Sequence, residues 1–218
     1  MPLLRVLKKI KNKLTGFNPS ERKLKEIYDI FAKSPEGGWI IGWKEAKKIY
    51  HLIKVRDAKN ALELGTGIGA AAAIMALAVE DSGKVTTIEQ KKECLEIAKK
   101  LIPDNLQQKI SFHLSEPCTF TSPILKQGER ISGYKNLPVE RGPFDFVLVD
   151  GPGSFWENGQ MNHHPNGDLF NLISHIKLGG IVFVDNRKVA LALYLKYLDQ
   201  YFRPGGSWKN YCILEKIT

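Results

Sequence analysis

ALELGTGIG, residues 61–69, runs directly into AAAAIMALA, residues 70–78. An apolar stretch that ends in glycines at alternate positions and continues as an alanine-rich segment reads as strand, tight loop and helix. Gly65, Gly67 and Gly69 let the backbone take up positive φ and let a ligand come close to it. The helix behind them offers free N–H groups. The loop alone does not say which ligand. A dinucleotide fingerprint spaces its glycines GxGxxG, so that a pyrophosphate rests on the helix end. Here the spacing is GxGxG, and position 70 is alanine.

Outward from this loop the chain alternates. Strands are expected at 60–64, 84–89, 109–114, 144–149 and 180–184, and helices at 69–80, 91–102, 166–176 and 188–201. FDFVLVD (144–150) and GGIVFVD (179–185) are nearly all apolar before their final aspartates, as strands buried on both faces should be. Upstream, residues 20–54 read as two helices. The first is capped by Ser20 and runs to Ala32 with Ile27, Ile30 and Phe31 as its apolar side; the second runs from Lys44 to Ile53. Residues 116–143 carry prolines and glycines and read as an insertion holding a small hairpin. WKNYCILEKI, residues 208–217, reads as a late antiparallel strand. The expected class is α/β: a Rossmann-like, doubly wound, mostly parallel sheet with ligands at the carboxyl ends of its strands.

A chain of 218 residues with 43% hydrophobic and 25% charged residues fits one soluble globular domain, here residues 19–218. No apolar run approaches the roughly 20 residues of a membrane-spanning helix. Cys94, Cys118 and Cys212 are scattered without CxxC spacing, which argues for a reducing cytoplasm and against a zinc site. The net charge of +9 is concentrated in part in LLRVLKKIKNKL, residues 3–14. Leu3, Leu7, Ile10 and Leu14 share a helical stripe with lysines opposite and at its borders, the pattern of a helix lying on an anionic membrane surface. Residues 1–18 are therefore expected to form a basic amphipathic segment, placing the protein in the cytoplasm and peripherally at the inner membrane face. Lysines interrupt any apolar core that a secretory signal would need.

Two carboxylates narrow the ligand. Glu63 precedes the first glycine by two residues and suits a ligand ammonium better than a pyrophosphate. Glu89 ends the next strand, KVTTIEQ, where a carboxylate can accept both hydroxyls of a ribose. Ribose plus ammonium, with no phosphate demanded, points to S-adenosylmethionine. ALELGTGIG, VTTIEQ, FDFVLVDGP and GGIVFVDN together resemble the ordered motifs of class I S-adenosylmethionine-dependent methyltransferases over residues 39–217. The resemblance implies that Gly65, Thr66, Gly67 and Gly69 line the methionine part. It puts Glu63 near the amino group, Glu89 on the ribose, and Ser115 and Glu116 near the adenine.

Asp150 ends one buried strand, and Asp185-Asn186 ends the next. Three hard oxygen donors without a thiolate suit Mg²⁺ or Mn²⁺. The set resembles that of cation-dependent O-methyltransferases, catechol and caffeoyl-CoA types included. In those enzymes a metal holds the acceptor hydroxyl, lowers its pKa and fixes its oxygen. The lysine base of the catechol type has no counterpart in GPGSFWENGQ, so His163 and His164 become the candidates for taking the proton, beside Asp150. DGPGSFWENGQM is similar to the segment after the fourth strand in sugar and polysaccharide O-methyltransferases. This suggests a glycan or other small-molecule acceptor, with Phe155 and Trp156 stacking on it and Trp39, Trp43 and Tyr134 walling the cleft. Other classes compete. A basic methyltransferase could act on RNA, although no separate RNA-binding module is evident. A NAD-linked oxidoreductase is disfavoured by the glycine spacing and Glu63, and an inactive cofactor-binding scaffold by the full set of acids. Nothing in the sequence settles the oligomeric state.

Overall fold

The computed structural model describes residues 19–218, so the expected membrane-surface helix at 3–14 lies outside the described residues. Among the described residues, no helix is long and apolar enough to cross a membrane. Helices α1 (Pro19–Ala32) and α2 (Trp43–Arg56) lead into the alternating part, with a short 3-10 turn at Gly37–Trp39 between them. The helix α1 is described from Pro19, so that Ser20, the expected cap, lies within it. Its buried stripe is Leu24, Ile27 and Phe31, while Ile30 faces out.

Then follow β1 (Asn60–Leu64), α3 (Ala70–Ala78), β2 (Lys84–Glu89), α4 (Lys92–Leu101), α5 (Asp104–Gln107) and β3 (Ile110–Leu114). After β3 the expected insertion forms a hairpin of β4 (Pro117–Phe120) and β5 (Ile131–Tyr134). The chain continues with β6 (Phe144–Val149), a second small hairpin of β7 (Phe155–Glu157) and β8 (Gln160–Asn162), and α6 (Asp168–Leu172). It ends with β9 (Ile176–Asp185), α7 (Lys188–Tyr197), β10 (Phe202–Ser207) and β11 (Tyr211–Lys216).

Seven strands form one sheet in the order β10-β11-β9-β6-β1-β2-β3. The five central and flanking strands β3, β2, β1, β6 and β9 are parallel, β11 is antiparallel to β9, and β10 is antiparallel to β11. This is the α/β class expected from the sequence. Alternation along the buried strands divides two cores. Phe146, Leu148, Ile181 and Phe183 face α1, α2 and α3, whereas Val147, Val149, Val182 and Val184 face α6 and α7. Every residue of α3 but Leu77 is buried. A helix of alanines without a polar face can lie close to both the sheet and the outer helices.

The structure departs from expectation in three places. The chain from 166 to 176 holds only a short α6 and a 3-10 turn at Ile173–His175, and β9 begins four residues earlier than read. Residues 155–162, for which no strands are expected from the sequence, pair as a hairpin. The segment FRPGGS, to which no element is assigned from the sequence, forms the edge strand β10 despite its proline and paired glycines.

Candidate functional site

The chain runs from β1 outward to β3, then returns to β6 on the other side of β1. The switch point of the sheet therefore lies between the carboxyl ends of β1 and β6. Two loops meet there. Gly65 and Thr66 both donate their N–H to Ile88 O, at 3.0 and 3.1 Å, and Asp150 N–H reaches back to Leu64 O at 2.9 Å. A Cβ on Gly65 would lie 2.7 Å from Gly151 N, and one on Gly151 would lie 2.6 Å from Gly65 Cα. The two loops touch backbone to backbone, which only glycine on both sides permits. Gly67, at φ +51°, instead faces open space.

That space is a cavity of about 330 Å³, walled by Glu63, the loop from Gly65 to Ile68, Glu89, Gln90, Lys91, Cys94, Trp39, Tyr134, Asp150, Gly151, Gly153 and Arg187. Glu63 is buried and accepts Thr87 Oγ1 at 2.5 Å; Thr87 Oγ1 lies 2.6 Å from Thr66 Oγ1. Burial pushes the Glu63 carboxyl well above its ordinary range, and the charges of Asp150 and Glu89 push the same way. Glu89 accepts Gly67 N–H at 2.9 Å and, on its other oxygen, Gln90 N–H at 2.9 Å and Lys91 N–H at 3.0 Å. Its carboxylate thereby shapes the glycine loop while keeping lone pairs for a ligand. Burial raises Asp150 to about 6, against the pull of the Arg187 guanidinium. Glu89 and Asp150 favour a cationic ligand, and such a cation would draw the Glu63 carboxyl back towards its ionised form.

Of the residues singled out in the sequence, Glu63, Gly65, Thr66, Gly67, Glu89 and Asp150 share this cavity wall. Gly69 stands just behind, where a Cβ would strike Ile102 Cδ1 at 2.8 Å and Ala98 Cβ at 2.9 Å, so it serves the packing of α3 on α4. Ser115 and Glu116 do not line the cavity. The Ser115 hydroxyl accepts Asn136 N–H at 3.0 Å, and Glu116 pairs with Lys135 at 2.6 Å, so both are turned to the insertion.

A second pocket, of about 230 Å³, adjoins the first and shares Gly153 and Arg187 with it. Its walls include Ser132, Ser154, Asn162, His163, His164, Asn166, Asn186 and Lys188. Both histidines therefore stand beside the cavity. Of the residues expected to wall the cleft, Trp39 and Tyr134 line the cavity and Trp43 does not. Phe155 and Tyr134 are buried, and Trp43 packs on Tyr28 at 5.1 Å between ring centres. Trp39, 96% exposed, and Trp156, 70% exposed, remain accessible.

Asp150 follows β6 and Asp185 ends the neighbouring strand β9, so the oxygen donors lie together at the carboxyl end of the sheet. Asp185 is raised to about 7 by burial, Asp150 and Glu45. Their chemistry suits a divalent ion, and Asp150, Asp185 and Asn186 are the residues that would hold one. Arg187 Nη2 donates to Asp150 O and lies 3.4 Å from Asp150 Oδ1. Asn186 sits at φ +45°, turning the backbone. Among the described residues, no three His, Cys, Asp or Glu side chains form a metal-binding group.

Sequence reasoning missed a buried polar network behind the second pocket. Asn166 donates to Gly151 O at 2.6 Å and Asp168 Oδ2 at 2.9 Å, and accepts Tyr194 Oη at 2.6 Å. Asp168 Oδ1 accepts Tyr134 N–H at 2.9 Å. The network ties the loop after β6 to β5 and α7. Its only trace in the sequence is PNGD, which reads as a helix start.

A family model described as O-methyltransferase matches residues 17–191. Caffeoyl-CoA O-methyltransferase of Petroselinum crispum is 28% identical over 174 residues, which are 79% of this chain and 64% of that one. Caffeoyl-CoA O-methyltransferase 1 of Eucalyptus globulus is 26% identical over 174 residues, 79% of this chain and 63% of that one. This chain thus spans under two thirds of the length of these relatives. Among solved structures, a methyltransferase from Geobacter sulfurreducens superposes with a TM-score of 0.60 at 13% identity, covering 98% of this chain and 97% of that one. The O-methyltransferase from Bacillus cereus, in complex with SAH, gives 0.56 at 15%, covering 97% and 96%. At these identities the structural likeness concerns the fold.

Proposed function

Because this chain belongs to the O-methyltransferase family, we propose that it moves a methyl group from S-adenosylmethionine to a hydroxyl of a small-molecule acceptor. The observation that carries this reading is the cavity at the switch point, where Glu63, Glu89 and Asp150 surround an open glycine loop. S-adenosylmethionine brings an ammonium and a sulfonium to such a site and asks for no phosphate contact. The solved Bacillus cereus relative holds its demethylated product, SAH.

In this proposal the loop from Gly65 to Gly67 and Glu63 hold the methionine part, and Glu89 accepts the ribose hydroxyls. Asp150 stands where the two pockets join, balancing the positive charge there. The acceptor enters the second pocket with its hydroxyl towards Gly153. In the transfer the methyl–sulfur bond breaks with its electron pair going to sulfur, and a methyl–oxygen bond forms. The hydroxyl proton passes to the imidazole of His163 or His164. Holding both reactants in line supplies most of the acceleration expected of such a site.

A hydroxyl-rich, sugar-like acceptor is the finer form of the proposal. The second pocket is lined by hydroxyl, amide, imidazole and cationic groups, and Trp156 is exposed on the hairpin whose Asn162 forms part of its wall. The test is calorimetric titration with SAH, followed by transfer of label from methyl-tritiated S-adenosylmethionine into the small-molecule and glycan fractions of a cell extract. Binding that Glu89→Ala weakens strongly, with label in either fraction, supports the reading. NADH binding without SAH binding refutes it, and label confined to an RNase-sensitive fraction refutes the acceptor.

A further inference from the structure

The two adjoining pockets are of opposite character. The carboxyl groups of Glu63, Glu89 and Asp150 line the donor cavity, whereas no aspartate or glutamate is among the wall residues of the second pocket. There Arg187, Lys188, His163 and His164 stand among serine hydroxyls and asparagine amides. Glu157 belongs to an adjoining groove that shares the two histidines and also holds Arg130. Its carboxylate is engaged by Thr119, whose N–H and hydroxyl it accepts at 3.1 and 2.5 Å. The backbone that carries the imidazoles is fixed: His164 N–H bonds Asn162 Oδ1 at 2.8 Å, and Ser132 Oγ donates to His164 O at 2.8 Å. Arg187 lies 3.4 Å from the Asp150 carboxylate, but Lys188 is exposed and has no ion-pair partner among the described residues. Lys188 also opens α7, and with Val189 and Ala190 it lines the pocket. The first N–H bonded within that turn is that of Leu191, to Arg187 O at 2.8 Å, and the end carries no side-chain cap. The amides before it are therefore free donors at the positive end of the helix dipole.

Resting on the methyltransferase reading above, we propose that the acceptor is an anion: it carries a carboxylate or phosphate group, which Lys188 and the first turn of α7 receive while its hydroxyl points to Gly153. A neutral polyol would leave the positive charge of this pocket unanswered, whereas an oxyanion meets it with charge-assisted hydrogen bonds. Acid on the donor side and base on the acceptor side also sort the two reactants, a cationic donor and an anionic acceptor, into their own pockets. At about 230 Å³ the second pocket is below the roughly 300–1,000 Å³ of a drug-sized site, so it suits one small molecule and not a polymer strand.

The test titrates the SAH-bound full chain with inorganic phosphate and with acetate by calorimetry, in the presence of Mg²⁺, on the wild type and two variants. The wild type should bind at least one of the two anions saturably. Lys188→Gln should weaken that binding about 10-fold and leave SAH affinity unchanged. Lys100→Gln, which removes an equal charge from an exposed position on α4, should change neither. In a cell extract, label transferred from methyl-tritiated S-adenosylmethionine should be retained on an anion-exchange resin. Release of that label by phosphatase would identify the group as a phosphate, and retention after phosphatase as a carboxylate. Label in the neutral flow-through, or in an RNase-sensitive polymer, would overturn the proposal. So would phosphate and acetate that both fail to bind the SAH-loaded protein, or that bind Lys188→Gln as tightly as the wild type. A wild type that does not bind SAH would defeat the methyltransferase reading instead, while direct titration with phosphate would still report whether the pocket takes an anion.

Discussion

Replacing Gly151 by alanine isolates the contact on which the site is built. The residue is not in the left-handed region, so its backbone tolerates alanine. The new Cβ would nevertheless lie 2.6 Å from Gly65 Cα, 2.9 Å from Gly65 N and 2.7 Å from Tyr134 Oη. Carbon atoms rest roughly 3.5–4.0 Å apart, so the two loops must separate by about 1 Å. Overpacking of this kind costs about 1–3 kcal/mol. The upper end applies, because the neighbour is backbone pinned to Ile88 O and cannot rotate away. Gly67→Ala is the matched control. It meets no atom within 4 Å but places alanine at φ +51°, which costs roughly 1–2 kcal/mol. Urea unfolding followed by circular dichroism should therefore show Gly151→Ala about 3 kcal/mol less stable than the wild type and Gly67→Ala about 1 kcal/mol less stable. Both should bind SAH weakly in calorimetry, the first through a displaced loop and the second through a methyl group in the cavity. A Gly151→Ala protein of wild-type stability and SAH affinity would refute the backbone contact as the hinge of the site.

The pH profile tests the network around Asp168. Burial raises its pKa from 3.8 to about 7, against hydrogen bonds from Tyr134 N–H and the Asn166 amide. The folded state holds the proton more tightly than the unfolded chain does, so stability should fall as pH rises from about 4 to about 7. The loss is at most about 4 kcal/mol, and Asp168→Asn should flatten that slope in urea melts at pH 5 and 8; an unchanged slope would remove Asp168 as its source. Glu215, buried between Arg56 at 2.5 Å and Arg203 at 2.9 Å, joins the last strand to α2. Glu215→Ala should cost about 3 kcal/mol by stranding buried charge, and Arg203→Ala under about 1 kcal/mol because Arg203 is mostly exposed; equal costs would contradict this division. Trp39 walls the donor cavity while fully exposed, so SAH should change tryptophan fluorescence in the wild type and not in Trp39→Ala.

Much of this architecture was legible in the sequence where burial is two-sided. Before their final aspartates, FDFVLVD and GGIVFVD carry no polar side chain apart from Asp145 near the start of the first, which marks them as inner strands. The glycine loop was legible because φ values of +99°, +51° and +92° leave few alternatives to glycine. Glu63 and Glu89 followed from their offsets to that loop. Ser115 and Glu116, expected near the adenine, stand outside the cavity wall because their orientation is set by Asn136 and Lys135 some twenty residues on. The network of Asn166, Asp168 and Tyr194 was hidden for the same reason: its partners come together only when α7 folds back over β5. Arg187 carries no motif that marks it in the sequence, yet it lines both pockets. Its importance depends on the left-handed turn at Asn186, which has no signature of its own.

The strand that escaped the sequence reading has a consequence for how copies of this chain meet one another. Among the described residues, β10 is an outer edge of the sheet, and an open edge is a template on which another chain can add a strand. FRPGGS is poorly suited to that use. Pro204 offers no N–H, the register slips between Pro204 and Gly206, and Arg203 is turned into the ion pair with Glu215. The features that make β10 look like a turn are those that keep the sheet finite at seven strands. A segment with better strand propensity there would be easier to recognise, and it would invite growth of the sheet from molecule to molecule.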